Sequence, residues 1–272
     1  MNGGANAAYV TARQRSKGLA HELFESRVAA QPPAELPSED DLRSLSAEAL
    51  RVGAMRTQTI AASDVVVDER VTMKCHIPPC EVFGRNHMCP PYSPTASEFS
   101  GYLSHYRVGM LVQVQDRLPE GFKELVKESE DNWYFELFRD REWEAAYQQT
   151  MMPLWHRLHL AVTATERVAH ERGFHGAVGL AGSDCGLCSE EAYQERQVLY
   201  QIGVGPPPGE PAFNPCDVAK PCPFPEMARP AMEAVGIDVV RTLRNAGWEL
   251  RFPATSYLEE GVAQWTGLVL VA

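Results

Sequence analysis

The residues of this chain with the most chemistry in them are seven cysteines, which fall into two groups: Cys75, Cys80 and Cys89, and Cys185, Cys188, Cys216 and Cys222. The first group reads K-C-H-I-P-P-C-E-V-F-G-R-N-H-M-C-P-P-Y, a C-x4-C-x8-C array whose prolines and glycine keep the backbone irregular. The second reads C-G-L-C and then P-C-D-V-A-K-P-C-P. Thiolates set in turns rather than on apolar helix faces are placed to hold a metal. Three in one place and four in another describe one open and one closed site.

Thiolates select soft or borderline ions, so zinc and iron-sulfur clusters are the candidates and magnesium is not. Structural zinc favours two tight pairs, and only Cys185 and Cys188 have that spacing. The wider C-x5-C of Cys216 and Cys222 and C-x8-C of Cys80 and Cys89 suit a larger object, since a cubane spreads its thiolates over several iron corners. A proline after Cys89 and another after Cys222 echo the C-P ending of ferredoxin cluster motifs. The cofactor expected is one or two 4Fe-4S clusters, with zinc as the alternative.

A cluster on Cys75, Cys80 and Cys89 would leave one iron open to an outside ligand, unless His76, His87 or Asn86 closes it. Arg85, His87 and Tyr92 are then the candidate contacts to a substrate bound there. His156 and His159 form H-x2-H with no third ligand in view and are left as packing or surface. Gly203, Gly205 and Gly209 lie in a proline-rich run that no helix follows, so they do not make a dinucleotide loop. There is no P-loop, no G-x-S-x-G and no H-E-x-x-H.

With 272 residues and 44% hydrophobic composition, the chain can bury a core without disulfides. It shows neither a signal-peptide core nor a membrane-length apolar run, so a reducing, cytoplasmic location is expected, where clustered cysteines bind metal. A net charge of -11 with no basic patch argues against nucleic acid as a partner. The partners expected are a small-molecule substrate or a redox partner protein, with no membrane.

Residues 1–37, ending in Q-P-P-A-E-L-P, read as an extension or linker, and 38–272 as a single cysteine-rich metal-binding domain. Ser38 caps a helix with acidic residues in its first turn, and Leu42, Leu45, Ala49 and Leu50 are assigned to one face until Gly53. Residues 107 to 115 alternate as a strand, with Met110, Val112 and Val114 on one side and Leu111, Gln113 and Gln115 on the other. A helix is expected from Pro153 to Arg172, ended by Gly173, followed by the buried strand H-G-A-V-G-L-A whose carboxyl end carries Cys185 and Cys188. A short helix closes at Gly236, Asp238 caps another, and W-T-G-L-V-L-V-A is a last buried strand. The fold class is therefore mixed α/β (mixed α+β), a single mixed sheet flanked by helices, with cysteine-bearing metal-binding loops. The aromatic segment 132–147 is a candidate lid helix, or an amphipathic helix packed on the body.

In V-V-V-D-E-R-V-T-M-K-C-H-I-P-P-C-E-V-F-G-R-N-H-M-C-P-P-Y-S-P-T, G-S-D-C-G-L-C, C-P-F-P-E-M-A-R-P-A-M-E-A-V-G-I-D-V and W-T-G-L-V-L, the chain resembles a bacterial and archaeal family of predicted metal-binding proteins, domain of unknown function 2284. The resemblance implies cysteine-ligated metal, of iron-sulfur type, and supplies no reaction. The family pattern continues C-x2-C-x2-C, whereas Glu191 holds the third position here, so Cys216, or failing it Glu191 or an outside molecule, must complete the second site. The family's R-P-S-M-E-A is R-P-A-M-E-A here, with Ala231 lacking a hydroxyl.

Three functions stay in competition. The first is a redox or Lewis-acid enzyme, an oxidoreductase or lyase, with a small molecule on the open iron and a second cluster for electron relay or structure. The second is a zinc-stabilised or metal-delivering protein that docks on a partner, and the third a pure electron carrier.

Overall fold

The computed structural model describes residues 36–80, 82–118, 120–121, 124, 141–182, 185–188, 216–249 and 261–271, with 141–153 described by backbone alone. Residues Leu36–Ala272 form one compact unit. Helix α1 (Glu39–Arg51) opens on a reciprocal capping box in which the Asp41 N–H donates to Ser38 Oγ at 3.2 Å and the Ser38 N–H to Asp41 Oδ2 at 2.9 Å. The Ser38 hydrogen bonds, together with Arg172 at 2.6 Å, hold the Asp41 carboxyl down at about 2. Leu45 and Ala49 are fully buried, but Leu50, expected on the same face, is 46% exposed. Five residues past Leu45 is about 140° around a helix, which turns Leu50 out of the apolar stripe.

The remaining described elements are β1 (Arg56–Ala61), the one-turn helix α2 (Met73–His76), α3 (Ala96–Leu103), β2 (Val108–Arg117), α4 (Arg141–Glu171), β3 (Val178–Leu180), α5 (Val239–Asn245) and β4 (Val262–Val271). The strands join in the order β1-β2-β4-β3. The sheet expected as mixed is antiparallel in all three of its pairings, and the parallel bridge among the described residues, between Ala181 and Ala231, lies outside its strands. Strands β2 and β4 run together from Val108 opposite Val271 to Arg117 opposite Val262.

Alternation along β2 builds two cores, one on each face of the sheet. Met110, Val112 and Val114 lie with Val269 and Val271 under Leu154, Leu158, Ala161 and Val162 of α4 and Leu45 and Ala49 of α1. Leu111 takes the opposite face with Leu268 and Leu270, where Phe99, Met232, Val235, Ile237 and Leu243 pack. The sequence assigned these sides correctly. Gln113, buried on the second face, is satisfied by donating to Thr266 Oγ1 at 3.0 Å and accepting from Arg56 Nε at 2.8 Å.

Helix α4 begins at Arg141 and passes through Pro153, where the sequence reading had started it. A proline lacks one helical donor, but it does not end a helix whose following face is held by a core. Its close is as expected: Gly173 has φ 95° and Phe174 N–H donates to Ala169 O at 2.9 Å. Asp238 caps α5 through the Arg241 N–H. Of the candidate lid 132–147, residues 132–140 and the side chains of 141–147 lie outside the described residues, as do the extension up to residue 35, Glu191 and the glycines of 203–209. No helix of the described residues is long and apolar enough to cross a membrane.

Candidate metal centre

The first cysteine loop is a succession of turns between β1 and α3. Asp68 accepts the Arg70 N–H and caps a 3-10 turn (Glu69–Thr72) that runs into α2, so Cys75 sits on a one-turn helix rather than in open loop. Cys80 N–H donates to Cys75 O at 3.1 Å, Cys89 N–H to Asn86 O at 3.2 Å, and Tyr92 N–H to Cys89 O at 2.9 Å. Cys75 is half-buried, Cys80 exposed and Cys89 buried at 5% exposure. Burial raises the Cys75 thiol, and the nearby Cys80 and Glu233 charges add to the effect while Lys74 opposes it.

Of the second group, Cys185 and Cys188 follow β3 in the chain, and residues 181–182 and 185–188 are described there. A side chain at Gly182 would overlap the Thr266 carbonyl, and one at Gly186 would lie 2.8 Å from Trp155 Cε3. The glycine between Cys185 and Leu187 therefore lets the C-G-L-C turn lie against α4. Burial drives the Cys185 thiol up to about 12, opposed by the Leu187 N–H aimed at its sulfur, and Cys188, Cys222 and Cys216 all push it further in the same direction. Cys216 is also raised, first by burial, and accepts the His87 N–H. The four cysteines of this group are thus electrostatic neighbours although 189–215 separates them in sequence. The neighbourhood includes Cys216, one of the two residues expected to complete the set.

The two groups share a wall. Asn86, fully buried, donates through Nδ2 to Cys185 O at 3.3 Å and accepts the Met88 N–H at 2.9 Å. His87 Nε2 lies 2.8 Å from Lys220 O. The segment Pro230–Met232 threads between the loops: Ala181 N–H donates to Pro230 O and Met232 N–H to Ala181 O on one side, and Ala231 N–H to Met88 O on the other. Of the residues named as alternative ligands, Asn86 has both amide atoms on the backbone and His76 packs edge-on against Phe83 at 4.8 Å. Among the candidate contacts, Arg85 is exposed, and Tyr92 is buried with its ring 6.0 Å from that of His87. His159 of the H-x2-H pair is core packing, with Nδ1 3.2 Å from Met227 O.

No three His, Cys, Asp or Glu side chains converge closely enough to hold a metal ion among the described residues. The donor set nevertheless fits a thiophilic group. None of the seven cysteines is in a disulfide, four of them act on one another, and two of those receive backbone N–H groups at sulfur. Such donors stabilise the thiolate form that a metal requires. Two residues gain a place here that spacing did not give them: Asn86 as the tie between loops and Glu233 as a carboxylate beside Cys75. Only the position of Glu233 in R-P-A-M-E-A hinted at the second.

An antiparallel four-stranded sheet with helices packed on its two faces, in a chain of seven cysteines outside disulfides, defines a cysteine-rich α+β protein. The chain belongs to the family of predicted metal-binding proteins (DUF2284), whose family model matches residues 58–271. No curated protein and no solved structure matches it.

Proposed function

We propose that the chain is an iron-sulfur protein in which Cys185, Cys188, Cys216 and Cys222 hold one 4Fe-4S cluster and Cys75, Cys80 and Cys89 a second. The observation that carries this reading is the four-way neighbourhood of Cys185, Cys188, Cys216 and Cys222, with the Leu187 and His87 N–H groups directed at two of its sulfurs. Hydrogen bonds to sulfur, burial and charge are the means by which a protein sets the potential of such a group. When bound, the three-cysteine cluster would supply a Lewis-acidic iron for a small molecule, and the four-cysteine cluster electrons or rigidity. Asn86 and the strap Pro230–Met232 hold the two loops to one wall. Arg85, exposed next to Asn86, would supply positive charge for an anionic substrate, with His87 and Tyr92, whose rings lie 6.0 Å apart, as the further contacts this reading assigns. Seven thiols outside disulfides suit the reducing cytoplasm.

Anaerobic purification with absorption spectroscopy, iron, zinc and sulfide analysis and electron paramagnetic resonance after dithionite tests this reading. The expected result is a brown protein with about eight iron and eight sulfide per chain, on the cubane assumption for two sites. A colourless protein carrying zinc would overturn it in favour of a metal-stabilised docking protein.

A further inference from the structure

The run from Met73 to Arg85 folds back on itself through successive turns. Ile77 N–H donates to Met73 O at 2.9 Å, Cys80 N–H to Cys75 O at 3.1 Å, Phe83 N–H to Cys80 O at 2.9 Å and Arg85 N–H to Val82 O at 3.0 Å, and the His76 ring meets that of Phe83 at 4.8 Å. This knuckle carries an apolar outer surface. Ile77, at 73%, is the most exposed large apolar side chain among the described residues, and Met73, one turn before it, stands at 54%. Pro78 and Pro79 continue the patch, and Cys80 is exposed at its end. Single exposed apolar side chains are ordinary, whereas adjacent ones mark a surface that meets something. The two prolines fix φ along the crest, so ordering it against a partner costs little.

The charged side chains described in this run, Lys74 and Arg85, are both exposed and form no ion pair among the described residues. Arg70, just before it, is by contrast committed to Asp68 at 2.6 Å. With Glu81 counted, the run has two basic side chains to one acidic, whereas the whole chain has 25 to 36. A net charge of -11 repels acidic proteins over most of the surface, so two such cations beside an apolar patch steer an acidic partner to that place. We propose that Met73–Arg85 is the docking face for an acidic electron-transfer protein, which passes one electron to the metal group of the first cysteine loop. The partner's centre loses that electron and the cluster gains it, with no bond made or broken. What the partner does rests on the iron-sulfur reading, and where it sits rests on the exposed knuckle. Cys80, an expected ligand of that group, is exposed within the patch, so a docked partner covers it directly. A patch supplied by one short run also suits an electron-transfer contact, which buries less than about 1,200 Å² in all, better than a permanent assembly.

The test uses the full chain, purified anaerobically, with an acidic [2Fe–2S] ferredoxin of the plant type as probe. Calorimetry at low and moderate salt measures binding, and stopped-flow absorption measures electron transfer from the pre-reduced ferredoxin. The proteins compared are wild type, Lys74→Glu, Lys74→Arg, Ile77→Ser and, elsewhere on the surface, Leu50→Ser. All three replaced side chains are exposed, and metal content measured on every variant separates lost docking from a disturbed site. Wild-type binding is expected to weaken as salt is raised. Lys74→Glu and Ile77→Ser should each weaken it by about tenfold at low salt and slow the transfer, while Lys74→Arg and Leu50→Ser behave as wild type. An iron-containing protein that does not bind the ferredoxin, or whose binding Lys74→Glu and Ile77→Ser leave unchanged, would overturn the docking face and leave the cluster reading standing. Zinc in place of iron would sink the cluster reading and the electron transfer with it, and binding still weakened in those two variants would then keep the knuckle as a docking face. A dimer of the chain alone that Ile77→Ser dissolves would overturn the proposal in favour of a second copy.

Discussion

The side-chain amide of Asn86 donates to the main-chain carbonyl of Cys185, so a residue from the first cysteine loop holds the second. Its oxygen is committed to the Met88 N–H, and the whole side chain is buried. In Asn86→Ala both backbone groups lose their partner inside the protein, which costs about 1–3 kcal/mol. Asn86→Asp keeps the Met88 bond but sets an acceptor against the Cys185 carbonyl, so it is expected to lose at least as much. Urea unfolding of the three proteins measures this. A change for Asn86→Ala below about 0.5 kcal/mol would mean that the tie is idle.

Gly186 makes a similar point by sterics. Its position against Trp155, which also meets Trp265 at a ring separation of 5.9 Å, leaves no room for a methyl group. Gly186→Ala is expected to destabilise by about 1–3 kcal/mol through overpacking. Because the displaced turn carries Cys185 and Cys188, on the proposed two-cluster reading the iron of the second group is expected to fall while that of the first is kept. Adding Trp155→Leu frees the space, so the two changes together should cost less than their sum. Strict additivity in unfolding free energy would show that the contact does not place the turn.

What could be read from the sequence was what depends on neighbours along the chain. Ser38, Gly173, Gly236 and Asp238 mark element ends through local hydrogen bonds and backbone freedom, and all four mark them in the structure. The two sides of β2 were legible because alternation is a local pattern. The antiparallel pairing of β3 with β4 was not, since helix-then-strand order is shared by parallel and antiparallel sheets. Pro153 misled for a related reason: its local preference was overridden by the core beneath α4. Asn86 was weighed from the sequence only as a metal ligand, and its hydrogen bond to the Cys185 carbonyl, 99 residues away, exists only once the chain is folded. Within the second group, the charge of Cys216 acts on Cys185 although 27 residues separate Cys188 from Cys216, a proximity that spacing alone does not give.

The strap between the loops is itself anchored. Arg229 donates through Nε to Glu166 Oε2 at 2.7 Å and through Nη2 to Oε1 at 3.0 Å, and the same carboxylate accepts the Gly179 N–H at 2.9 Å. Side-chain exposures of 16% for Arg229 and 10% for Glu166 make this a largely buried pair. Removing one member strands the other, so Glu166→Ala is expected to cost about 3–5 kcal/mol in urea unfolding. Replacing both, as Glu166→Leu with Arg229→Met, should cost clearly less than Glu166→Ala alone. If the double variant proves the less stable of the two, the pair is a net source of stability and the desolvation argument fails here.

His159 gives the fold a dependence on pH. Its ring is 1% exposed, Nδ1 faces Met227 O, and Nε2 is buried with no hydrogen-bond partner. Charging it would leave a second N–H buried and unsatisfied. Desolvation lowers its pKa to about 4, with His156 and Arg229 pushing the same way and the Met227 carbonyl opposing. An unfolded histidine titrates near 6.5, so between the two values the unfolded chain binds more protons and stability rises with pH. The contribution is complete above pH 6.5 and is lost as pH falls through about 4. Between pH 7.5 and 5 this one group should remove about 2 kcal/mol. His159→Gln keeps a donor for Met227 and does not titrate, so its unfolding free energy should fall less steeply over that range by this amount. The comparison cancels every other titrating group, and parallel pH profiles for the two proteins would show that His159 is not buried in its neutral form.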